Sequence, residues 1–193
     1  MMATALPARK MWTEEELQAL PDDGHDFELV NGELVMSPKN NFQHEEICAD
    51  LMTTMRAFAK AKRLGVVLGS NAGCWMRSRN CRAPDICFLT KARLKEIGFT
   101  RGTRKFLPVA PDLAVEILSP SNTRAEIDAR LQDFFASGAQ LVWIIDPENQ
   151  SAEVCHSLTR RRLIGRRGSL DGEKLLPGFR FPIADLFREW DWQ

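Results

Sequence analysis

The stretch from Asp112 to Phe135, DLAVEILSPSNTRAEIDARLQDFF, reads as a buried strand, a turn and an amphipathic helix. Leu113, Ala114, Val115, Ile117 and Leu118 form a nearly continuous apolar run, the pattern of a strand covered on both faces, and Glu116 interrupts it. A carboxylate there is costly unless a cation, a metal or a set of donors compensates it. SPSN makes the turn, and Thr123 with Glu126 forms a capping box that opens a helix ending near Gly138. Ile127, Leu131, Phe134 and Phe135 define the core face of that helix. Arg130 falls within the same stripe, so its guanidinium is expected to point back towards the sheet and approach Glu116. The apolar run QLVWIID follows at once, and strand, helix and strand in this order fit a right-handed crossover between parallel neighbours.

Two other acids compete to partner Glu116. Asp85 in APDICFL and Asp112 in APDLAVEIL both follow proline at a strand start. Asp112 shares a strand face with Glu116, but four residues of extended chain separate them by roughly 13 Å, too far to grip one ion. Asp85 lies on another strand and comes within reach of a shared Mg²⁺ or Mn²⁺ if that strand is adjacent. Two carboxylates, a hard divalent ion and a permanent cation are what phosphodiester hydrolysis requires, because they activate water and stabilise charge on the phosphorus oxygens.

Working outward, Thr13 and Glu16 predict a short capped helix ending before Pro21, and FELVNGELVM predicts a hairpin around Asn31-Gly32. Ile47, Leu51, Met55 and Phe58 recur at helical spacing between Gln43 and Arg63, with Gly65 as the stop and His44 on the same stripe. Val66 to Ser70, Cys74 to Arg77 and Asp85 to Thr90 read as strands, Lys91 to Ile97 as a brief helix, and Gly98 to Val109 as a basic loop. Further strands are expected around Val154, in RRRLIGRRG and at Lys174 to Leu176, ahead of the closing segment LPGFRFP.

Length and composition suit one domain over 1–193, with 44% hydrophobic and 27% charged residues. The 26 basic and 26 acidic side chains cancel, so contact with nucleic acid must come from a local basic surface. Five cysteines without a CxxC pair argue against a disulfide framework and a structural zinc site and suggest a reducing cytoplasm. The opening MMATALPARKMW lacks the apolar core of a signal peptide, and no run is long enough to cross a bilayer.

The segments APDICFL, VEILSPSN and DARLQDFFASGAQLVWIIDPE, preceded by FELVNGELVMSP with His44 and followed by LPGFRFPIADLF, closely resemble the Uma-type restriction endonucleases of the PD-(D/E)XK nuclease superfamily. The resemblance runs from about Phe27 to Phe187. It implies an α/β fold with a restriction-endonuclease-like core: a mixed central β-sheet flanked by helices, with an N-terminal hairpin and an antiparallel C-terminal extension. It also implies Asp85 and Glu116 as ligands of Mg²⁺ or Mn²⁺, a DNA substrate and a homodimer. Leu118 stands where the superfamily signature has lysine, and Arg130 stands where this family carries a lysine on the next helix. Arginine can stabilise an anionic transition state, but it stays protonated and cannot act as a general base. His44 and Glu28 fall where the family tends to carry the same residue types, which implies that His44 orients water or phosphate and that Glu28 supports the site from behind.

Each of these residues also has a plainer reading. Glu116 with Arg130 is then a buried ion pair, Asp85 a turn residue after proline, His44 a hydrogen-bonded core histidine and Glu28 a surface charge on the hairpin. The basic runs Arg101 to Lys105 and Arg160 to Arg167 serve either DNA phosphates or solvent. Trp190 and Trp192 call for core closure or a dimer contact to hide them. Three functions remain open at this level: a metal-dependent DNA endonuclease, a nuclease-like fold that binds nucleic acid without cutting it, and a structural protein.

Overall fold

The computed structural model describes residues 11–20, 26–37 and 40–192. The stretch 1–10, on which the reading of the leader depends, and Pro21 lie outside them. Thr13 caps α1 (Glu14–Gln18) with the reciprocal Glu16 bond of a capping box. The strands β1 (Asp26–Val30) and β2 (Glu33–Ser37) pair antiparallel around Asn31 and Gly32, whose φ values of 50° and 76° meet the demand of a two-residue hairpin turn. Asn41 caps α2 (Phe42–Ala61), which buries His44, Ile47, Leu51, Met55 and Ala59 along one stripe.

The chain continues through β3 (Gly65–Gly69), β4 (Cys74–Trp75), β5 (Cys81–Arg82), β6 (Ile86–Thr90) and α3 (Lys91–Glu96). After the loop come β7 (Leu113–Ile117), α4 (Arg124–Ala136), β8 (Leu141–Asp146), β9 (Ser151–Cys155) and β10 (Arg161–Ile164). β11 (Ser169–Asp171), β12 (Arg180–Pro182) and a 3-10 turn at Ile183–Phe187 close the described chain. The central sheet has the order β10-β9-β8-β7-β6-β3, and the hairpin joins a second sheet of order β2-β1-β5-β4. β7 and β8 are parallel, and the other neighbours in the central sheet are antiparallel. The central sheet is thus mixed, as expected.

Alternation along β7 sorts its side chains between two cores. Leu113, Val115 and Ile117 pack with α2 and Trp143, whereas Ala114 faces Leu131 and Phe134 of α4. Glu116 shares the parity of Ala114 and therefore faces α4. On β6, Cys87 and Leu89 belong to the α4 side, so Asp85, two residues before Cys87, has the parity to face the same way.

Several expectations are corrected. Gly65 does not end α2: Lys62 is the C-cap, Arg63 takes the left-handed position at φ 54°, and Gly65 opens β3. A Cβ on Gly65 would lie 1.9 Å from the Leu89 carbonyl oxygen, so the glycine serves close strand approach instead. Lys174 to Leu176 is a turn, not a strand, with the amides of Leu175 and Leu176 donating to the Gly172 carbonyl. Trp190 and Trp192 do not close the core. They are 36% and 74% exposed, stack on each other at 5.2 Å, and Phe42 meets Trp190 edge-on. All five cysteines are free, and all but Cys48 are buried.

Candidate active site

The antiparallel register between β6 and β7 builds the centre of the site. Ile86 lies opposite Val115. One further step sets Asp85 opposite Glu116, where facing side chains have Cβ atoms about 4.5–5.5 Å apart. Asp85 Oδ2 accepts a 2.7 Å hydrogen bond from the Ile117 amide, which fixes the carboxylate against the end of β7. His44, from the first turn of α2, brings Nε2 to 3.3 Å from the same oxygen. Among the described residues its Nδ1 is buried without a hydrogen-bond partner, with Glu45 Oε1 3.5 Å away.

Arg130 reaches the other carboxylate. Its Nη1 lies 3.2 Å from Glu116 Oε1 and 2.8 Å from Glu28 Oε1. Glu28 is therefore not a hairpin surface charge. Only 3% of it is exposed, because β5 and α4 cover that face of β1 and bring cations to it. Arg82 Nη1 approaches Glu28 Oε2 at 3.2 Å, and the Ala83 amide donates to Oε1 at 2.8 Å.

The chain of charges continues beyond the residues named from sequence. Arg82 Nε donates to Asp133 Oδ2 at 2.7 Å, and Asp133 also accepts from Ser78 Oγ and Asn80 Nδ2 at 2.7 and 2.8 Å. Asn80 Oδ1 in turn accepts the Asn31 amide at 2.7 Å, tying the hairpin turn to the network. Sequence reasoning missed Arg82 and Asp133. Asp133 carried a usable signal, since it lies three residues after Arg130, where helical spacing returns it to the same side of α4. Arg82 carried none, because β5 is too short to show a period.

A cavity of about 110 Å³ opens over this centre, lined by Glu28, His44, Asp85, Glu116 and Arg130 together with the turn residues after β7. Asp112 is not among its lining residues. It accepts from the Thr90 amide and hydroxyl, Arg93 Nε and Gln140 Nε2, a tie among β6, α3 and β8.

The electrostatics leave the site short of positive charge. Burial pushes the Glu116 carboxyl up to about 8; Arg130 opposes this, and Asp85 and Glu28 reinforce it. For His44, burial lowers the pKa, but the hydrogen bond to Asp85 and the charges of Asp85 and Glu45 outweigh it, and the net shift is upward from 6.5. Four carboxyl groups (Glu28, Asp85, Glu116, Asp133) meet two guanidiniums (Arg82, Arg130), so full ionisation beside a neutral His44 would leave two negative charges in excess, and without a cation Glu116 relieves this by holding its proton at neutral pH.

A divalent cation fits that deficit. The contacts to Asp85 fall on Oδ2 and the Arg130 contact to Glu116 on Oε1, which leaves Asp85 Oδ1 and Glu116 Oε2 unengaged among the described residues. No group of three or more His, Cys, Asp or Glu side chains arranged for a metal occurs among the described residues. The fit is thus to a hard ion such as Mg²⁺ that takes one or two carboxylates and fills its other positions with water and substrate oxygens.

No curated protein matches the sequence significantly. A crystal structure from Anabaena variabilis ATCC 29413, described as "a putative nuclease belonging to DUF820", matches 91% of this chain and 97% of that chain with a TM-score of 0.78. At 21% identity, that likeness establishes the fold. No helix among the described residues is long and apolar enough to cross a membrane. The model of the Uma2 family, described as "Putative restriction endonuclease", matches residues 14–184, and the chain belongs to that family.

Proposed function

We propose that the chain is a metal-dependent DNA endonuclease in which Asp85 and Glu116 hold Mg²⁺ or Mn²⁺. The observation that carries this reading is the register that sets the two carboxylates face to face, each with one unengaged oxygen, beside Arg130. A divalent cation bound there would neutralise charge on a phosphodiester and make a water molecule more acidic.

The protein's own groups divide the remaining work. Both ion pairs of Arg130 among the described residues use Nη1, which leaves Nε and Nη2 to donate to a non-bridging phosphate oxygen. Glu28 holds the arginine from behind, and Arg82 and Asp133 hold Glu28. These three are positioning residues. Arg130 cannot take a proton from the attacking water. His44, with its ring against Asp85, is the imidazole of the cleft placed to exchange a proton.

The pinning of Arg130 between Glu28 and Glu116 favours one alternative, a module that binds nucleic acid without cutting it. Cytoplasmic location, a single domain over 1–193 and a homodimer belong to the same proposal, and light scattering of the purified protein tests the last. Melting curves with and without Mn²⁺ test the ion site. At 100 times its Kd, a ligand of the native state adds about 2.7 kcal/mol of stability. The wild type is expected to show this rise and Asp85→Ala to lose it; an equal rise in both would remove Asp85 from the site.

A further inference from the structure

Away from the cleft, α2, β3 and α3 border a second, open hollow of about 310 Å³ whose floor is mostly apolar. Arg56, Lys60, Arg63 and Lys91 line it, and no acidic residue does. None of these four cations has a carboxylate partner among the described residues, a condition they share with other exposed cations such as Arg101 and Arg167, and what sets them apart is that they surround one hollow. In a chain with 26 basic and 26 acidic side chains, four unpaired cations around one hollow are a local positive field that the net charge conceals.

The backbone places all four exposed side chains around the hollow and holds one of the charged groups, that of Arg56. Arg56 donates from Nη1 to the Val67 carbonyl at 2.9 Å, which lays its guanidinium against β3. Arg63 occupies the left-handed region at φ 54° immediately after the helix cap. The Lys91 amide donates to the Leu64 carbonyl at 2.9 Å, fixing the start of α3 to the entry of β3.

The edge strand β3 connects this hollow to the cleft. Gly65, Val66 and Val67 line the basic hollow, and Ser70, just past the end of β3, lines the cavity over Asp85 and Glu116. Five residues of extended chain span roughly 16 Å. A polynucleotide bound at one end of β3 therefore has further backbone phosphates within reach of the other.

We propose that the hollow bordered by Arg56, Lys60, Arg63 and Lys91 is a second binding site that grips the phosphodiester backbone of the nucleic acid whose scissile phosphate lies at Asp85 and Glu116. The proposal rests on the nuclease reading above, since it takes the same polymer to occupy both ends of β3. Contacts of this kind fix position and affinity without reading sequence.

The test is the triple variant Lys60→Gln, Arg63→Asn, Lys91→Gln, in which asparagine tolerates the backbone at 63 and Arg56 keeps its bond to β3. Fluorescence anisotropy measures binding of a labelled 20-base-pair duplex across a salt series, and matched melting curves check folding. Each phosphate contact removed lowers the slope of log K against log salt by about 1. The expected result is a slope smaller by about 2–3 and affinity at least about tenfold weaker at 50 mM salt.

Wild type and variant with the same slope and affinity would overturn the proposal and leave the nuclease reading standing. A wild type that binds no duplex would overturn both. A variant that loses binding of inorganic phosphate but binds the duplex as the wild type does would show a free-anion site and overturn the nucleic-acid assignment.

Discussion

Two glutamates, Glu28 buried and Glu116 half-buried, share one arginine, and replacing each by glutamine is expected to have opposite consequences. Glu28 is 4% exposed at its side chain and bridges Arg82, Arg130 and the Ala83 amide. Glu28→Gln keeps the volume and one acceptor but turns an amide group towards two guanidiniums. Breaking a buried ion pair outright costs about 3–5 kcal/mol, and a hydrogen bond to a charged group is worth about 1.5–3. Arg82 retains Asp133 and Arg130 retains Glu116, so neither cation is stranded and the expected loss is about 2–4 kcal/mol. For a chain of this size, that corresponds to a fall in Tm of about 5–15 °C. Glu116 differs because burial pushes its carboxyl up to about 8, which means that the fold disfavours its charge. Glu116→Gln removes that charge while Arg130 keeps its 2.8 Å contact to Glu28, so metal-free stability at pH 8 should be unchanged or higher. Urea denaturation followed by tryptophan fluorescence measures both variants. If Glu116→Gln cost as much as Glu28→Gln, the division into one positioning acid and one ligand-ready acid would be wrong.

Other expectations follow from the same geometry. The folded pKa of Glu116 lies above its unfolded value, and so does that of His44, so both contribute stability that is full at low pH and lost as pH rises. Metal-free protein should therefore lose stability from about pH 4.5 to about pH 8 and then level off, a trend that thermal melts across pH can check and that Glu116→Gln with His44→Gln should abolish. Asp133 acts in the opposite sense: its hydrogen bonds and Arg82 outweigh burial and hold its carboxyl below the usual value, so its contribution disappears only in acid. Gly65→Ala would place a methyl group 1.9 Å from the Leu89 carbonyl oxygen and force β3 away from β6. A loss of about 1–3 kcal/mol is expected in denaturant titrations, and an unchanged midpoint would contradict the close strand approach.

What the sequence disclosed depended on how local each cause was. The capped α4, the Asn-Gly hairpin and the buried strands β7 and β8 announce themselves through spacing and turn chemistry within a few residues. The partnership of Asp85 with Glu116 needed one non-local fact, the adjacency of β6 and β7, which no residue in either strand encodes alone. Glu28 misleads because a hairpin acid looks solvated until Arg82 and Arg130 arrive from positions 54 and 102 residues later. Gly65 misleads likewise: a glycine after a helix suggests a stop, but the atom that requires it is the Leu89 carbonyl oxygen. Lys174 to Leu176 resembles a strand by composition, yet Leu175 and Leu176 are buried from within a turn.

The central claim is that Asp85 and Glu116 together make a divalent-ion-dependent centre for phosphodiester cleavage. Nicking of supercoiled plasmid with Mg²⁺ or Mn²⁺, run on wild type, Asp85→Ala and Glu116→Ala, tests it most directly. The account predicts metal-dependent nicking by the wild type that both variants lose and that chelation stops. Nicking that persists in both alanine variants, or duplex binding by the wild type with no cleavage under either metal, would contradict it.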